Sequence, residues 1–459
     1  MSYLKIYTTN PEYISAANFS PRNYDPVYLF VKERLKDGLN LEQFLVDSVR
    51  GGSTPPQYLF KREGEGIPFV KTSAIDRDFV NINDLHFIHP NFHYEAIARS
   101  IARPFDVIYS MTGKFMGKAC LAPPTLQEVN MSQNSVVLKT DSPERSAFLT
   151  IFLNSDINRK QIAGLYSITK QKYINQGKIA KLKLIDYKGT YGKFVSDYLD
   201  GINSYYDSIE KIKTTIRSFN QVAATPPEPY DSKYEFTLSP NLLDKKILTA
   251  QYYRSDFRSA LKAIPEDPAR PKLRDFEITK GSEIGSDNYE FEGIPFIKTS
   301  DFLNYGVDYQ PNYYCSEAIH SECEQDLRQG DILFTKDGKI GETAILEESA
   351  RVVISAGIVR IRPTSDETRY WLFLLLSSNY GQLFFRKWNV IASTMAHLRK
   401  DFFSDFRFPN IKASTKMDYI TNLSVAFRGK KRASEQIGVA KNKLLAKILQ
   451  DYHVTPSLT

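Results

Sequence analysis

The sequence predicts an α+β protein made twice over: two repeated mixed α/β domains separated by two long antiparallel coiled-coil helices. Three observations carry this reading. A nine-residue phrase, EGIPFVKTS at Glu65–Ser73, recurs as EGIPFIKTS at Glu292–Ser300, with Val70 replaced by Ile297. Each copy brings matching surroundings with it. Each half also closes on a long segment whose apolar residues recur at heptad spacing.

The matching surroundings keep their order. The run DVIYS from Asp106, followed by Gly113, Lys114 and Gly117, corresponds to DILFT from Asp331, followed by Gly338, Lys339 and Gly341. SQNSVVLKT from Ser132 corresponds to SAGIVRIRPT from Ser355, and LEQFLVDSVRGG from Leu41 to LRDFEITKG from Leu273. Solenoid repeats have periods of about 20–50 residues. This period is several times longer, so each copy is expected to be a whole domain.

Within each copy, short apolar runs of strand length (Ile67–Val70, Val107–Tyr109, Val352–Ile354) alternate with Gly- and Pro-rich turns, which predicts a mixed fold with much strand. One helical patch is expected in each, at Ala147–Leu153 and Tyr370–Phe385. A polar-aromatic arm opens each copy, at 19–26 and 251–256.

From Val195 the apolar positions are Val195, Tyr198, Ile202, Tyr205, Ile209, Ile212, Ile216 and Phe219, a strict alternation of three and four. Pro226 and Pro227 end the pattern and begin a linker. The second seam carries Ile420, Leu423, Phe427, Ile437, Leu444 and Ile448. Gly429–Arg432 and Gly438 interrupt it, and a bend or an unpaired stretch is expected there. Neither helix can bury its seam alone in water, and each is the natural antiparallel partner of the other. The expected boundaries are 1–190 and 241–412 for the domains, 191–224 and 413–459 for the helices, and 225–240 for the linker.

Composition bounds the function. Hydrophobic residues are 42% and charged residues 25%, as in an ordinary globular protein. There is no apolar run of membrane-spanning length and no signal-peptide layout at the N-terminus, so a soluble cytoplasmic protein is expected. Three cysteines and six histidines without CxxC or HxxxH spacing point to reduced, mostly buried thiols and to neither zinc nor a disulfide framework. A net charge of +7 and 28 tyrosines lean mildly toward a polyanion partner.

The repeated GIPF[VI]KTS block, the D[VI][IL][YF][ST] block with its GK and G after it, and the helix closing each half together resemble the specificity subunits of type I restriction–modification systems. The resemblance runs from about Phe19 to about Tyr452. It implies that each mixed region is a target recognition domain reading one half of a split DNA sequence, and that the helices form a spacer. The first helix would span roughly 40 Å, or about 12 base pairs of duplex. The implied partners are double-stranded DNA, two DNA methyltransferase subunits and, in a complex that also cuts, ATP-dependent endonuclease subunits. The competing reading is a free-standing double-domain DNA- or RNA-binding adaptor without enzyme partners.

Signatures of catalysis fail. None of the Pro-Pro pairs, at Pro55, Pro123 and Pro226, fits the [ND]PP[YF] motif of an amino-methyltransferase. TGKFMGK from Thr112 is one residue short of a phosphate-binding loop and is followed by Ala119 where Ser or Thr would bind magnesium. Asp326, Asp331 and Asp337 are close in sequence, but the first copy supplies only Asp106, so a shared metal site is not expected. A non-catalytic reader with no cofactor or metal is the outcome.

Phosphate contacts and base contacts call for different residues. Glycine loops can approach a backbone closely, which selects Lys114 and Lys118 in the first copy and Lys336 and Lys339 in the second. The repeated Lys71, Thr72 and Ser73 and their counterparts Lys298, Thr299 and Ser300 are a second candidate set, for phosphate or for capping a turn. Base readers should differ between copies. That selects Tyr166, Lys170, Gln171, Lys172, Tyr173 and Asn175 in the first, and Arg386, Lys387, Trp388, His397, Arg399 and Lys400 in the second.

Overall fold

The computed structural model describes residues 31–113, 116–165, 167–168, 172–223, 272–349, 351–387, 390–392, 395–397, 406 and 408–451. Both arms and the linker fall outside these residues. The chain forms two compact units. One comprises the residues up to Asp207 and those from Arg432 onward, and the other runs from Ser208 to Lys431. Each unit therefore contains one mixed domain and part of each long helix, Gly192–Val222 and Ala413–Asp451.

In the first unit, a four-stranded antiparallel sheet has the spatial order Arg50–Gly51, Ser135–Leu138, Val107–Ser110, Ala119–Leu121. A second sheet has the order Phe60–Lys61, His86–Ile88, Ile67–Val70, Asn130–Met131. Val70 and Met131 from the second sheet and Ile108, Cys120 and Val137 from the first share one buried cluster, so the two sheets cover a common core. Two helices follow, Pro143–Leu153 and Asp156–Ala163, started by Ser142 and Ser155, whose hydroxyls accept the Arg145 and Asn158 amides. Every residue from Ser146 to Leu153 is buried, which explains why this helix has no amphipathic stripe in the sequence.

The second unit repeats the plan. Its larger sheet has the order Glu277–Lys280, Ile358–Arg362, Ile332–Thr335, Thr343–Ile345. Its smaller sheet has Tyr314–Cys315, Ile294–Ile297, Val353–Ile354. Ser365 caps Asp366–Ser377, and Asn379–Lys387 follows. The helical patch expected at Tyr370–Phe385 is thus two helices, divided at Ser378, whose buried hydroxyl turns back to the Leu375 carbonyl.

The repeated phrase is a strand running into a turn. Ile67–Val70 lies parallel to Asn130–Met131, and Ile294–Ile297 lies parallel to Val353–Ile354. The glycine that opens each copy is a close-approach position. A Cβ on Gly66 would lie 2.6 Å from the Ile88 carbonyl oxygen, and one on Gly293 2.7 Å from that of Cys315. Phe69, Val70, Phe296 and Ile297 then fill the cores. The phrase is preserved because both its glycine and its apolar pair are fixed by packing.

The two long helices pair in each unit. In the first, Tyr191, just ahead of the first helix, donates to Asp451 at 3.0 Å, Gln436 donates to the Asp197 carbonyl at 2.7 Å, and Gly201 faces Ile437. In the second, Ser208 faces Gly429 and Phe219 meets Tyr419 edge-on at 5.6 Å. Rising numbers on one helix meet falling numbers on the other, so the pairing is antiparallel. All eight positions of the first seam are buried, as are the six of the second.

The expected break in the second seam does not occur, and Ala413–Asp451 is one uninterrupted helix. Small residues carry the seam instead: Ala426, Ala433 and Ala440 are buried between the larger ones. Lys430 is also in the seam, at 2% exposure, and is paired with Glu347 at 2.7 Å. Gly429 sits where Ser208 crosses: a Cβ there would lie 2.7 Å from the Ser208 hydroxyl oxygen.

Cys120 and Cys315 are buried, Cys323 is partly exposed, and all three are free thiols. Burial pushes the Cys120 thiol well above its ordinary range and that of Cys315 up to about 11. Among the described residues, no helix is long and apolar enough to cross a membrane.

Two predictions follow from this packing. A Cβ on Gly201 would lie 2.6 Å from Ile437, whereas nothing lies within 4 Å of one on Gly438. Gly201→Val is expected to cost about 2 kcal/mol by overpacking, and Gly438→Ala to gain up to about 1 kcal/mol through helix propensity. Urea unfolding followed by far-ultraviolet circular dichroism measures both, and equal effects would contradict the seam geometry. In a thiol titration at neutral pH, Cys323 alone should react quickly, with Cys120 and Cys315 released only by denaturant.

Candidate nucleic-acid interface

Each glycine loop is the connection of a β-hairpin in the larger sheet of its domain. Thr112–Lys118 joins Val107–Ser110 to Ala119–Leu121, and Lys336–Gly341 joins Ile332–Thr335 to Thr343–Ile345. Gly113 and Gly117 have φ of 64° and 89°, and Gly338 and Gly341 have 72° and 102°, so both loops need their glycines to turn. Each loop leans on the second helix of its domain. A Cβ on Gly117 would lie 2.5 Å from Ile162, and the Gln382 side-chain amide donates to the Gly341 carbonyl at 2.7 Å.

The divergent segments form a matching pair of hairpins directly after those helices. In the first domain Ser167–Ile168 pairs with Lys172–Tyr173, and in the second Val390–Ala392 pairs with Met395–His397. The first hairpin abuts its glycine loop: Tyr173 bridges Thr112, and the Ile174 amide donates to the Met111 carbonyl at 3.0 Å. Lys172 and Tyr173 are exposed there, Tyr173 at 40%. Asn175 has a local role as the cap of Gln176–Ala180, accepting the Lys178 amide at 2.8 Å.

The repeated Lys-Thr-Ser is a strand end followed by a 3-10 turn, Thr72–Ala74 and Thr299–Asp301. Both lysines rest on aromatic rings. The Lys71 ammonium lies 5.0 Å from the Phe60 ring centre, and Phe60 stands edge-on to His86. The Lys298 ammonium lies 4.9 and 4.8 Å from the rings of Tyr289 and Tyr313. Those rings occupy matching places, since Phe60 and His86 flank Phe69 as Tyr289 and Tyr313 flank Phe296. Sequence reading missed them because the pairing depends on strand register. Ser73 donates to Asp84 at 2.7 Å and Ser300 to Asp301 at 3.2 Å, which ties both serines into the turns. In the second domain the turn meets the glycine loop: a Cβ on Gly357 would lie 3.1 Å from Thr299 and 3.4 Å from Asp337.

The loop lysines divide. Lys118 is 5% exposed and bonded to Asp76 at 2.5 Å, so its charge is turned inward and is not offered to a ligand. Lys336 pairs with Asp337 at 2.6 Å and is largely covered, while Lys339 is exposed. Arg386 and Lys387 end the helix Asn379–Lys387, and His397 is in the second strand of its hairpin. Lys114, Tyr166, Lys170, Gln171, Trp388, Arg399 and Lys400 lie outside the described residues.

The acidic residues near the second loop are engaged with arginines and a lysine. Arg328 and Arg362 bond Asp326 and hold its carboxyl down at about 2, and Arg362 also bonds Asp331 at 2.9 Å. Asp337 is the partner of Lys336. Among the described residues, no group of three or more His, Cys, Asp or Glu side chains is placed to hold a metal ion.

Residues 272–410 match the family described as the type I restriction modification DNA specificity domain. No curated protein matches the chain. Among solved structures, the type I restriction-modification S subunit from M. genitalium is 12% identical, with 89% of this chain and 94% of that one covered at a TM-score of 0.34. The HsdS subunit from Thermoanaerobacter tengcongensis is 18% identical, with 89% and 95% covered at a TM-score of 0.27. Superpositions this loose add nothing to the assignment, which rests on the family match to the second mixed domain. The second mixed domain, with the sheets, helices and glycine loop described above, is thus the part of the chain that matches the type I restriction modification DNA specificity domain, the family that the repeated blocks resemble.

Proposed function

We propose that the chain is the specificity subunit of a type I restriction–modification complex, a non-catalytic reader whose two mixed domains, 1–190 and 241–412, each recognise one half of a split duplex target. The observation that carries this is the duplication. The domain that matches the specificity family is repeated in the first half of the chain with the same strand order in its larger sheet, the same parallel strand pair, the same capped helix pair and the same terminal hairpin. Two copies of a reader on one chain fit a bipartite target. In this reading the paired helices serve as the spacer on which methyltransferase subunits dock, with endonuclease subunits joining where the complex also cuts.

The contact surface we assign in each domain comprises the glycine loop, the end of the second helix and the hairpin that follows it. Backbone amides and exposed lysines such as Lys172 and Lys339 would take phosphates, and the hairpin side chains would read base edges. Lys71 and Lys298, steadied on their aromatic rings, are the proposed phosphate contacts common to both copies. The rival reading, a free-standing adaptor, uses the same surface without enzyme partners.

Methylation mapping of cells with and without this chain tests the function. One bipartite modified sequence should disappear when the chain is removed, and an unchanged methylome with no co-purifying methyltransferase would favour the adaptor. For the surface, Lys172→Ala should weaken duplex binding evenly across sequences and lower the salt slope of log K by about 0.9. A titration of binding against salt measures this, and an unchanged slope would remove Lys172 from the phosphate contacts.

A further inference from the structure

We propose that Lys118 is a positioning residue for DNA reading in the first domain, fixing the glycine loop to the helix pair through a buried polar clasp without touching DNA itself. The inference rests on the DNA-reading function proposed above.

The clasp is a short segment, Asp76–Val80, that grips the loop on one side and both long helices on the other. On the loop side, Lys118 bonds Asp76, and the Asp78 amide donates to the Ala119 carbonyl at 2.9 Å. Asn154, at the end of the first domain helix, closes the same point. It accepts from the Ala119 amide at 2.9 Å and donates to the Ala119 carbonyl at 2.8 Å and to Asp78 at 3.2 Å.

On the helix side, Asp78 accepts from Tyr198 at 3.0 Å and pairs with Lys441. Phe79 stacks on Tyr205 at 4.0 Å, and the Val80 amide donates to the Tyr206 hydroxyl at 2.7 Å. Asp78 reaches this place only through a left-handed backbone, with φ of 71°. Lys118, Asp76, Asp78 and Tyr198 are all largely shielded from water, where removing one partner strands a buried charge and the geometry is strongly enforced. The glycine loop therefore leaves its hairpin at an angle set by the helices, because the residue that closes the loop is bonded to the segment they hold.

Among the described residues the second domain does not repeat the Lys118–Asp76 bond, since Leu303 stands where Asp76 does. Glu342 stands where Lys118 does, one residue after the second loop glycine, and Tyr305 stands where Asp78 does, again at positive φ, with its ring edge-on to Phe373. The clasp is thus specific to one of two otherwise matching readers. Its loss should be felt at one half-site only.

The test uses the full chain, in the complex in which it purifies, and a pool of duplexes with randomised sequence. Bound molecules are selected and sequenced, and the salt slope is measured on the unselected pool. Wild type should enrich two half-sites. Lys118→Met should reduce enrichment at one half-site by about tenfold or more, leave the other intact and leave the salt slope unchanged, since no phosphate contact is lost. Lys118→Arg should restore much of the enrichment. Lys441→Met, at the helix end of the clasp, should impair the same half-site.

A slope lowered by about 0.9 in Lys118→Met would make Lys118 a phosphate contact and overturn the proposal. So would unchanged enrichment, or a Lys441→Met protein that reads both half-sites normally. If Lys118→Met loses both half-sites through misfolding, the Lys441→Met result alone decides. A wild-type chain that enriches no sequence would sink the DNA-reading function itself, which is a different failure.

Discussion

The burial of two apolar stripes against each other is the constraint on which both units depend. Most of a helix's stability in a protein comes from packing its apolar face, and an exposed stripe of tyrosine, isoleucine and phenylalanine would drive association with whatever lay nearest. Pairing the helices removes both problems. It also gives each mixed domain a ready-made surface, because the same aromatic residues that close the seam continue outward to meet the domain. Tyr198 and Tyr205 do so in the first unit, and Phe219 and Phe427 in the second.

The two units attach their domains by different chemistry. In the first, the contact is polar at its centre: Asp78 receives Tyr198 and Lys441, and burial together with the Asp78 carboxylate pushes the Tyr198 hydroxyl well above its ordinary range, so that it stays a donor. In the second, rings dominate. Trp371 meets Phe219 edge-on at 5.7 Å, and Tyr370 and Phe373 meet Phe427 at 5.8 and 4.8 Å, contacts worth about 1 kcal/mol each beyond their area. One buried ion pair, Lys430 with Glu347, supplements them. A polar attachment has defined directions and fails if one member is lost, whereas a cluster of rings tolerates small shifts. Duplication supplied the same frame twice, and the seats have since diverged.

How much of this was legible in the sequence follows from what each feature requires. The first seam could be read completely because its positions are all large and apolar, and spacing alone identifies them. The middle of the second could not, because alanines and a paired lysine do the burying there, and Lys430 looks like an interruption until Glu347 is known to lie opposite it. The strands Ile67–Val70 and Val107–Ser110 were legible as apolar runs, but the two-residue strands Arg50–Gly51 and Asn130–Met131 carry no periodicity at all. The candidate surface was partly visible. The glycine loops and divergent segments stood out, yet nothing local places Thr112 beside Tyr173 or tells an exposed lysine such as Lys172 from a buried one such as Lys118.

That last distinction separates the frame of each reader from its working edge. Positions that repeat between the domains are those with a packing reason: the close-approach glycines Gly66 and Gly293, the apolar pairs after them, the lysines seated on rings and the turning glycines of the loops. The hairpins after the helix pair differ as well, and there the backbone pairing is kept while the residues borne on it are replaced. A hairpin is suited to such replacement because its hydrogen bonds are made by the backbone, so side chains can change without loss of the ladder. Under the function proposed above, two domains with one frame and unlike hairpins would hold duplex in the same way while selecting different bases, which would be the physical content of a divided specificity carried on a single chain.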